Sequence, residues 1–380
     1  MPGVLSHPEP FGGVFRGRRV VITGHTGFKG GWLCEWLLGL GAQVSGIGLA
    51  PNTDPSLFQQ LGLESRLEHH IQDIRQPEAV AAIIRDFHPD FVFHLAAQPL
   101  VRLSYEQPVE TWETNVMGSI HVLEGLRLLD HPCAAVFITT DKCYENHEWL
   151  HAYREVDPLG GHDPYSSSKA GAEIAIAAWR RSFFSGSPVV KIASARAGNV
   201  IGGGDWALDR IVPDSMRALA RGETIPVRNK TATRPWQHVL EPLGGYLWLA
   251  ALLAEPAFAS PSGPDPILLR DAFNFGPRLE SNRTVAQLVA EILKHRPGRW
   301  EDRSNPNAPH EASLLNLSIE KAFHLLKWRP VWDFEETIGR TTDWYTRIEQ
   351  TIDTPVALTR SQIAAYTDAA RVAGIPWAGA

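Results

Sequence analysis

Tyr165 and Lys169 stand four residues apart in Tyr165-Ser-Ser-Ser-Lys169, after a loop containing Pro158, Gly160, Gly161 and Pro164. If the segment opens a helix, the i, i+4 spacing puts both side chains on one face. A lysine ammonium beside a phenol favours the phenolate and lowers the tyrosine pKa, the state a general base needs. Alone, such a pair is better explained as an exposed helix face. Its weight comes from Thr139-Thr140-Asp141-Lys142, which ends the preceding predicted strand. A hydroxyl beside a base-poised tyrosine is what hydride chemistry between an alcohol and a carbonyl requires.

Hydride chemistry needs a carrier, and Gly24-His-Thr-Gly-Phe-Lys-Gly30 offers a site for one, after a short β-branched run and before a helical pattern. Glycines there permit a tight turn, close approach of the backbone to a pyrophosphate, and a helix N-terminus aimed at its charge. Gly24, Thr26, Gly27, Phe28, Lys29 and Gly30 are therefore expected to hold a dinucleotide. The spacing is G-x-x-G-x-x-G, which a bare glycine turn also satisfies, so the strand–turn–helix context carries the inference. Asp73 and Ile74, directly after the third predicted strand, are expected beside the adenine. The second strand ends Gly48-Leu49-Ala50-Pro51-Asn52, without the acid that ordinarily takes the ribose 2′-hydroxyl. No arginine stands there to take a 2′-phosphate, and the cofactor is expected to be NAD.

These residues need a scaffold that presents strand ends to one crevice. Strand-like runs at 19–23, 44–49, 70–72, 91–95, 134–139 and 189–194 alternate with helical patterns at 32–40, 77–87, 111–129 and 166–183. That alternation predicts an α/β fold, a Rossmann-type doubly wound parallel sheet whose ligands bind beyond the carboxyl ends of the strands. After Arg196 the pattern becomes glycine-rich, with a helix at 211–221 and a strong apolar helix from Leu243. We expect a dinucleotide-binding domain over 17–198 and 236–275, a smaller substrate lobe over 199–235 and 276–348, and a tail, 349–380, with no assigned role. The histidines His69-His70 are read as loop or core residues.

With 380 residues, 44% of them hydrophobic, the chain can bury a large core without covalent staples. A net charge of −6 with scattered basic residues excludes the electrostatic footprint of a nucleic-acid binder. The three cysteines, Cys34, Cys133 and Cys143, form no C-x-x-C pair, which points to reduced thiols in the cytoplasm and to no metal site. Met1 to Arg19 lacks an apolar h-region and reads as a loose lead-in. The longest apolar stretch is well short of the roughly 20 residues a membrane helix needs.

Several longer stretches are similar to the extended short-chain dehydrogenases/reductases and, within them, to the CDP-glucose 4,6-dehydratase group. They are Thr23 to Gly30, His94 to Pro108, Asp141-Lys-Cys-Tyr144, Ala195 to Trp206 and Arg234-Pro-Trp-Gln-His-Val239. The resemblance runs from about Arg18 to about Tyr345; Ala50 departs from it, since many relatives carry an aspartate there. It implies a redox-neutral dehydration of a nucleotide-linked hexose. Tyr165 would remove the C4 hydroxyl proton while hydride passes to NAD, and Thr140 would hydrogen-bond the new carbonyl. Lys142 would then take the C5 proton, Asp141 would protonate the departing C6 hydroxyl, and hydride would return to C6. A lysine in that role must be neutral.

By the same resemblance, Leu95, Ala96 and Ala97 join Tyr165 and Lys169 around the cofactor. The resemblance assigns Asn199, Arg210 and Arg234 to the diphosphate. From their place after the fourth predicted strand, Gln98 and Ser104 are expected to face the hexose, and His310 is expected to reach the nucleotide ribose. The family's usual assembly implies a homodimer or homotetramer, paired through the helices at 111–129 and 166–183. Two other readings stay open. A nucleotide-sugar 4-epimerase uses the Tyr/Lys pair but has no need of Asp141-Lys142, and a silent dinucleotide sensor would have lost Tyr165 or Lys169.

Overall fold

The computed structural model describes residues 9–255, 265–304 and 314–379. Seven parallel strands form the main sheet: β1 (Arg19–Thr23), β2 (Gln43–Gly48), β3 (Glu68–Ile71), β4 (Phe91–His94), β5 (Cys133–Ile138), β6 (Val190–Ala197) and β7 (Ala272–Phe275). Their order is β7-β6-β5-β4-β1-β2-β3, so the winding reverses between β1 and β4, where Val20 registers with Phe91. A crevice at that switch point is where a doubly wound sheet binds its ligand.

Alternation along the strands divides the core. Val20 and Ile22 of β1 pack with α1 (Phe28–Gly39) and α6 (Leu240–Ala254), while Val21 points to the opposite face, toward α2 (Pro77–Phe87) and α3 (Gly118–Arg127). α4 (Pro164–Trp179) lies on that second face, and its Ile176 belongs to the same cluster. α6 carries no polar stripe and is enclosed from Leu240 to Leu253, as expected of a helix apolar all round.

Outside the main sheet lie α5 (Ile211–Ala220), α7 (Val285–His295) and α8 (Phe334–Glu349). Two short strand pairs link the segments around them: Thr233–Pro235 antiparallel with Asn282–Thr284, and Ile225–Val227 parallel with Trp300–Asp302. A further pair, Val200–Ile201 with Gln237–His238, leads the chain out of the sheet and back.

The structure corrects several expectations. The helix predicted at 111–129 begins earlier, at Pro108, and is broken by a π turn, Glu113–Met117, before α3. His69 and His70 lie on β3, and His69 Nδ1 is 2.6 Å from His25 Nε2. The described ends of the chain, from 9 and up to 379, are packed rather than loose. α9 (Pro355–Val372) packs on α1, and Trp377 stacks on Phe11 at 4.9 Å with Trp36 and Tyr366 edge-on and beside it. Phe11 and Phe15 are buried in the same cluster. The prolines and glycines of both termini suggest loops, but the aromatics among them carry enough apolar area to close the outer face of α1.

Candidate active site

The base-poised pair sits at the start of α4. Asp163 caps the helix, accepting from Ser166 N at 2.9 Å and from Ser166 Oγ at 2.6 Å, and Pro164 occupies the first turn, where no N–H is missed. Tyr165 and Lys169 therefore fall on one buried face, one turn apart. Lys169 Nζ donates to the Ile138 carbonyl at 3.3 Å. The expected depression of the tyrosine pKa by Lys169 is not found. Burial pushes the Tyr165 phenol up to about 12, only partly offset by the Thr140 hydroxyl that faces it. Burial also pushes Lys169 down to about 8, against the pull of Glu173. In this pocket desolvation outweighs the local charges.

β5 ends at Ile138, and the chain turns through a single 3-10 turn, Asp141–Cys143. Thr140 caps that turn: its hydroxyl accepts from Lys142 N at 3.4 Å and donates to Asp141 Oδ1 at 2.9 Å. Asp141 is 2% exposed, and its Oδ2 is buried without a hydrogen-bond partner among the described residues. Burial raises its pKa, opposed by Lys142, the Thr140 hydroxyl, Arg234 and Lys29. A carboxyl so placed can hold a proton and release it to a leaving oxygen. Gly198 makes the room: a Cβ there would stand 2.6 Å from Asp141 Oδ2.

The glycine turn lies across the crevice. Gly24 has φ +77°, and a Cβ on it would meet Ala96 N at 2.7 Å; one on Gly30 would meet the Gly24 carbonyl at 2.2 Å. Gly27 differs, with only the Gly24 carbonyl within reach, at 3.4 Å. Two glycines thus close the turn, while the third leaves bare backbone facing the crevice at the N-terminus of α1, a cradle that fits a pyrophosphate. His25 fills the space left by Gly46 and Gly48 beneath the turn, and burial pushes its pKa down to about 4.

The family model described as GDP-mannose 4,6 dehydratase matches residues 21–341. The CDP-glucose 4,6-dehydratase of Salmonella typhimurium is 47% identical over 341 residues, spanning 87% of this chain and 91% of the relative. This chain belongs to that dehydratase family, within the extended short-chain dehydrogenases/reductases. More distantly, dTDP-glucose 4,6-dehydratase 1 of Escherichia coli is 25% identical, covering 88% of this chain and 94% of its own. Among solved structures, the dTDP-glucose 4,6-dehydratase DesIV of Streptomyces venezuelae superposes with a TM-score of 0.71 at 22% identity, covering 89% of this chain and 99% of its own. The UDP-glucose-4-epimerase of Stenotrophomonas maltophila gives 0.73 at 20% identity, covering 88% and 99%. These two likenesses bear on the fold, which is that of the family.

Within this dehydratase-family crevice the other expected residues divide. Leu95, Ala96 and Ala97 follow β4 directly, with Leu95 N and Ala96 N bonded to Thr23. Thr26 Oγ1 donates to the Leu49 carbonyl at 2.9 Å and so fixes the turn to the end of β2. Asp73 is held by Arg75 at 2.7 Å, and Ile74 is buried against Gly118. Lys29 feels the charges of Arg210, Lys169 and Asp141, which locates its ammonium in the same cleft, where burial pushes it down to about 8. Arg210 bonds Asp205 at 2.8 Å and acts on Tyr165. Arg234, in the lobe strand Thr233–Pro235, acts on Asp141. Asn199 is half-buried between β6 and the Val200–Ile201 strand. His310 lies outside the described residues.

Two residues expected to face the hexose are engaged elsewhere. Gln98 spends its amide internally, donating to the Leu100 carbonyl and Thr111 Oγ1 and accepting from Leu100 N. Ser104 is fully enclosed, accepts from Tyr165 N at 3.1 Å and donates to the Val101 carbonyl. Both shape the loop that supports Tyr165. One positioning residue went unseen in the sequence. Asn115, in the π turn, accepts from Gln98 N at 2.8 Å and donates to Ser168 Oγ at 2.8 Å, linking the β4 loop to α4. Only the π turn brings it there, and nothing in the local sequence marks such a turn.

Proposed function

We propose that the chain dehydrates CDP-D-glucose to CDP-4-dehydro-6-deoxy-D-glucose, with NAD as a resident cofactor, in the biosynthesis of deoxysugars of the O-antigen type. The observation that carries the dehydration step is Asp141, a buried carboxyl with a raised pKa and a free oxygen, beside Lys142 and the Thr140–Tyr165 pair. Hydride exchange alone, as in an epimerase, has no use for such an acid. The choice of nucleotide follows the relative that is 47% identical and is a CDP-glucose 4,6-dehydratase.

The cofactor's pyrophosphate would rest on Gly27 and the start of α1, with Leu95 to Ala97, Asp73 and Ile74 along its length. When bound, NAD supplies a hydride acceptor at C4 that later serves as the donor at C6. Tyr165 takes the proton from the C4 hydroxyl, Lys169 keeps that corner of the site positive, and Thr140 hydrogen-bonds the C4 oxygen. The resulting ketone acidifies the C5 hydrogen, which Lys142 removes as a proton. Asp141 gives its proton to the C6 hydroxyl, which leaves as water, and Lys142 returns its proton to C5 as hydride comes back to C6. Arg210, Arg234 and Asn199 hold the diphosphate, where guanidinium forks suit phosphate geometry.

The family's usual homodimer, alone or doubled to a tetramer, fits the exposed apolar side chains Val109, Trp112, Met117, Ile174 and Phe183 along the α4 side of the sheet. The three cysteines are buried and unpaired, which suits a reducing cytoplasm. No helix among the described residues is long and apolar enough to cross a membrane. To test the reading, purified protein is incubated with CDP-, dTDP-, UDP- and GDP-glucose, and 4-keto-6-deoxy product is followed by mass spectrometry. CDP-glucose should give by far the highest kcat/KM. Similar values across all four would remove the CDP assignment, and no product from any would remove the dehydratase reading.

A further inference from the structure

We infer that the buried Glu173–Arg196 ion pair is a positioning clamp for the acid/base turn, gripping the residue before it, Thr139, and the residue after it, Tyr144. The inference rests on the dehydratase reading, because it concerns the half of the reaction performed by Asp141 and Lys142. Both members of the pair are nearly sealed from solvent, at 2% and 3% exposed, and Arg196 Nη2 meets Glu173 Oε2 at 2.8 Å.

The partners of the pair are what distinguish it from a generic core ion pair. Glu173 accepts from Thr139 Oγ1 at 2.5 Å and from Ser194 Oγ at 2.9 Å. Arg196 Nη1 donates to Tyr144 Oη at 2.8 Å, and its guanidinium lies 5.0 Å from the Tyr144 ring centroid. Tyr144 in turn donates to Asn274 Oδ1 at 2.7 Å, and the Asn274 amide is fixed by the Tyr153 and Ser318 carbonyls. Between the two gripped residues lie only Thr140, Asp141, Lys142 and Cys143. The ends of the turn are thus pinned to one rigid charge pair.

The clamp also ties the turn to the base. Tyr165, Lys169 and Glu173 succeed one another at four-residue spacing along α4, so the helix that places the phenol also places the carboxylate holding Thr139. Burying two charges carries a large desolvation cost, and an apolar pair of similar volume commonly serves stability as well or better. The geometric return is a fixed distance between the group acting at C4 and the groups acting at C5 and C6. Burial alone would raise the Glu173 pKa, yet Arg196 and the two hydroxyls hold it below its ordinary value, so the pair stays ionised.

Removing the charged partners risks the fold, so the test removes the two gripping hydroxyls, in Thr139→Val, Tyr144→Phe and the double variant. Two readouts are taken from each enzyme with CDP-glucose in deuterated water: the rate of cofactor reduction in a single turnover, and deuterium incorporation at C5 with product release. Misplacing a catalytic group by about 1 Å costs on the order of 10²-fold. Tyr144→Phe should reduce the cofactor within about threefold of the wild-type rate but lose roughly tenfold in C5 exchange and product, whereas Thr139→Val, beside Thr140, should lose in both readouts, and the double variant should near a 10²-fold loss of product. Equal loss in both readouts for Tyr144→Phe, or no loss in either readout for both single variants, overturns the clamp. A wild-type protein that gives no product from any nucleotide-glucose instead overturns the dehydratase reading.

Discussion

Gly198→Ala tests the active site through one added methyl group. Gly198 follows β6 directly and does not have a positive φ, so alanine fits the backbone without strain. The new Cβ would stand 2.6 Å from Asp141 Oδ2 and 3.2 Å from its Cγ, with Pro235 Cγ 3.2 Å away. Ordinary contact begins at 3.4 Å, so about 0.8 Å of separation must be found. Pro235 crowds the alanine, so it cannot simply move away. The carboxyl therefore swings, against the hydrogen bond that Thr140 makes to Asp141 Oδ1. Overpacking of this size costs typically 1–3 kcal/mol, which a chain with this much buried core should survive. A shift approaching 1 Å in a reacting group costs on the order of 10²-fold in rate. We expect Gly198→Ala to remain folded by circular dichroism, to reduce its cofactor on mixing with CDP-glucose at near the wild-type rate, and to release product about 10²-fold more slowly. Wild-type turnover in this variant would refute the role of Asp141 as the acid, because its oxygen cannot stay where it is.

Three further outcomes are expected. Tyr165→Phe should bind cofactor and substrate nearly as well as wild type but lose roughly 10²- to 10⁴-fold in turnover; equal kcat would remove the phenol from the mechanism. Lys142→Met should accumulate reduced cofactor, visible in the nicotinamide absorbance band, with little product and little C5 exchange, and normal exchange would make Lys142 an electrostatic neighbour only. Glu241, fully buried, accepts from Val331 N, Trp332 N and Tyr366 Oη, and burial pushes its pKa from 4.5 up to about 7. The folded state thus holds this proton more tightly than the unfolded chain, so its contribution is intact below about pH 4.5 and is lost as pH rises through 7. Between pH 5 and 8 the loss integrates to about 2–3 kcal/mol, which Glu241→Gln should abolish in urea melts; identical pH slopes in the two proteins would count against a buried neutral acid.

Alternation with helical patterns revealed six of the seven strands, and the helix predicted at 77–87 is observed as Pro77–Phe87, but the edge strand Ala272–Phe275 was not foreseen, because four residues after a long irregular segment carry too little pattern. The lobe helices after Gly276 were not resolved as separate elements in the sequence. α7 and α8 bury only one stripe each, among loops that break the pattern. The chain termini misled for the opposite reason: Pro10, Gly12 and Gly13 suggest a loose segment, but Phe11 between them is fully buried against Trp36 and Trp377. Local chemistry predicts turns well, and it says little about which aromatic a distant segment will cover.

The site divides along the same line. That Tyr165 and Lys169, and Thr140 and Asp141, would stand together could be read because each pair is set by spacing within one helix or one turn, while the acid role of Asp141 was implied by the family resemblance alone. Their electrostatic state could not. The lysine four residues on suggests a lowered tyrosine pKa, yet burial drives the phenol up to about 12 and the lysine down to about 8, because desolvation depends on the whole surrounding fold. A bound cofactor with a cationic nicotinamide adds positive charge that the protein alone does not supply, and that charge would draw the phenol back toward ionisation. Positioning residues were harder still. Gln98 and Ser104 read as substrate contacts because they follow a strand, the correct place, yet their hydrogen bonds turn inward to Thr111 and to Tyr165 N. Asn115 and the Glu173–Arg196 pair act across 17 and 23 residues of sequence, through a π turn and two adjacent strands, and such partnerships exist only once the chain is folded. What a residue is can be read from its type and neighbours in sequence; whether it meets the substrate or holds the residue that does is decided by tertiary contacts.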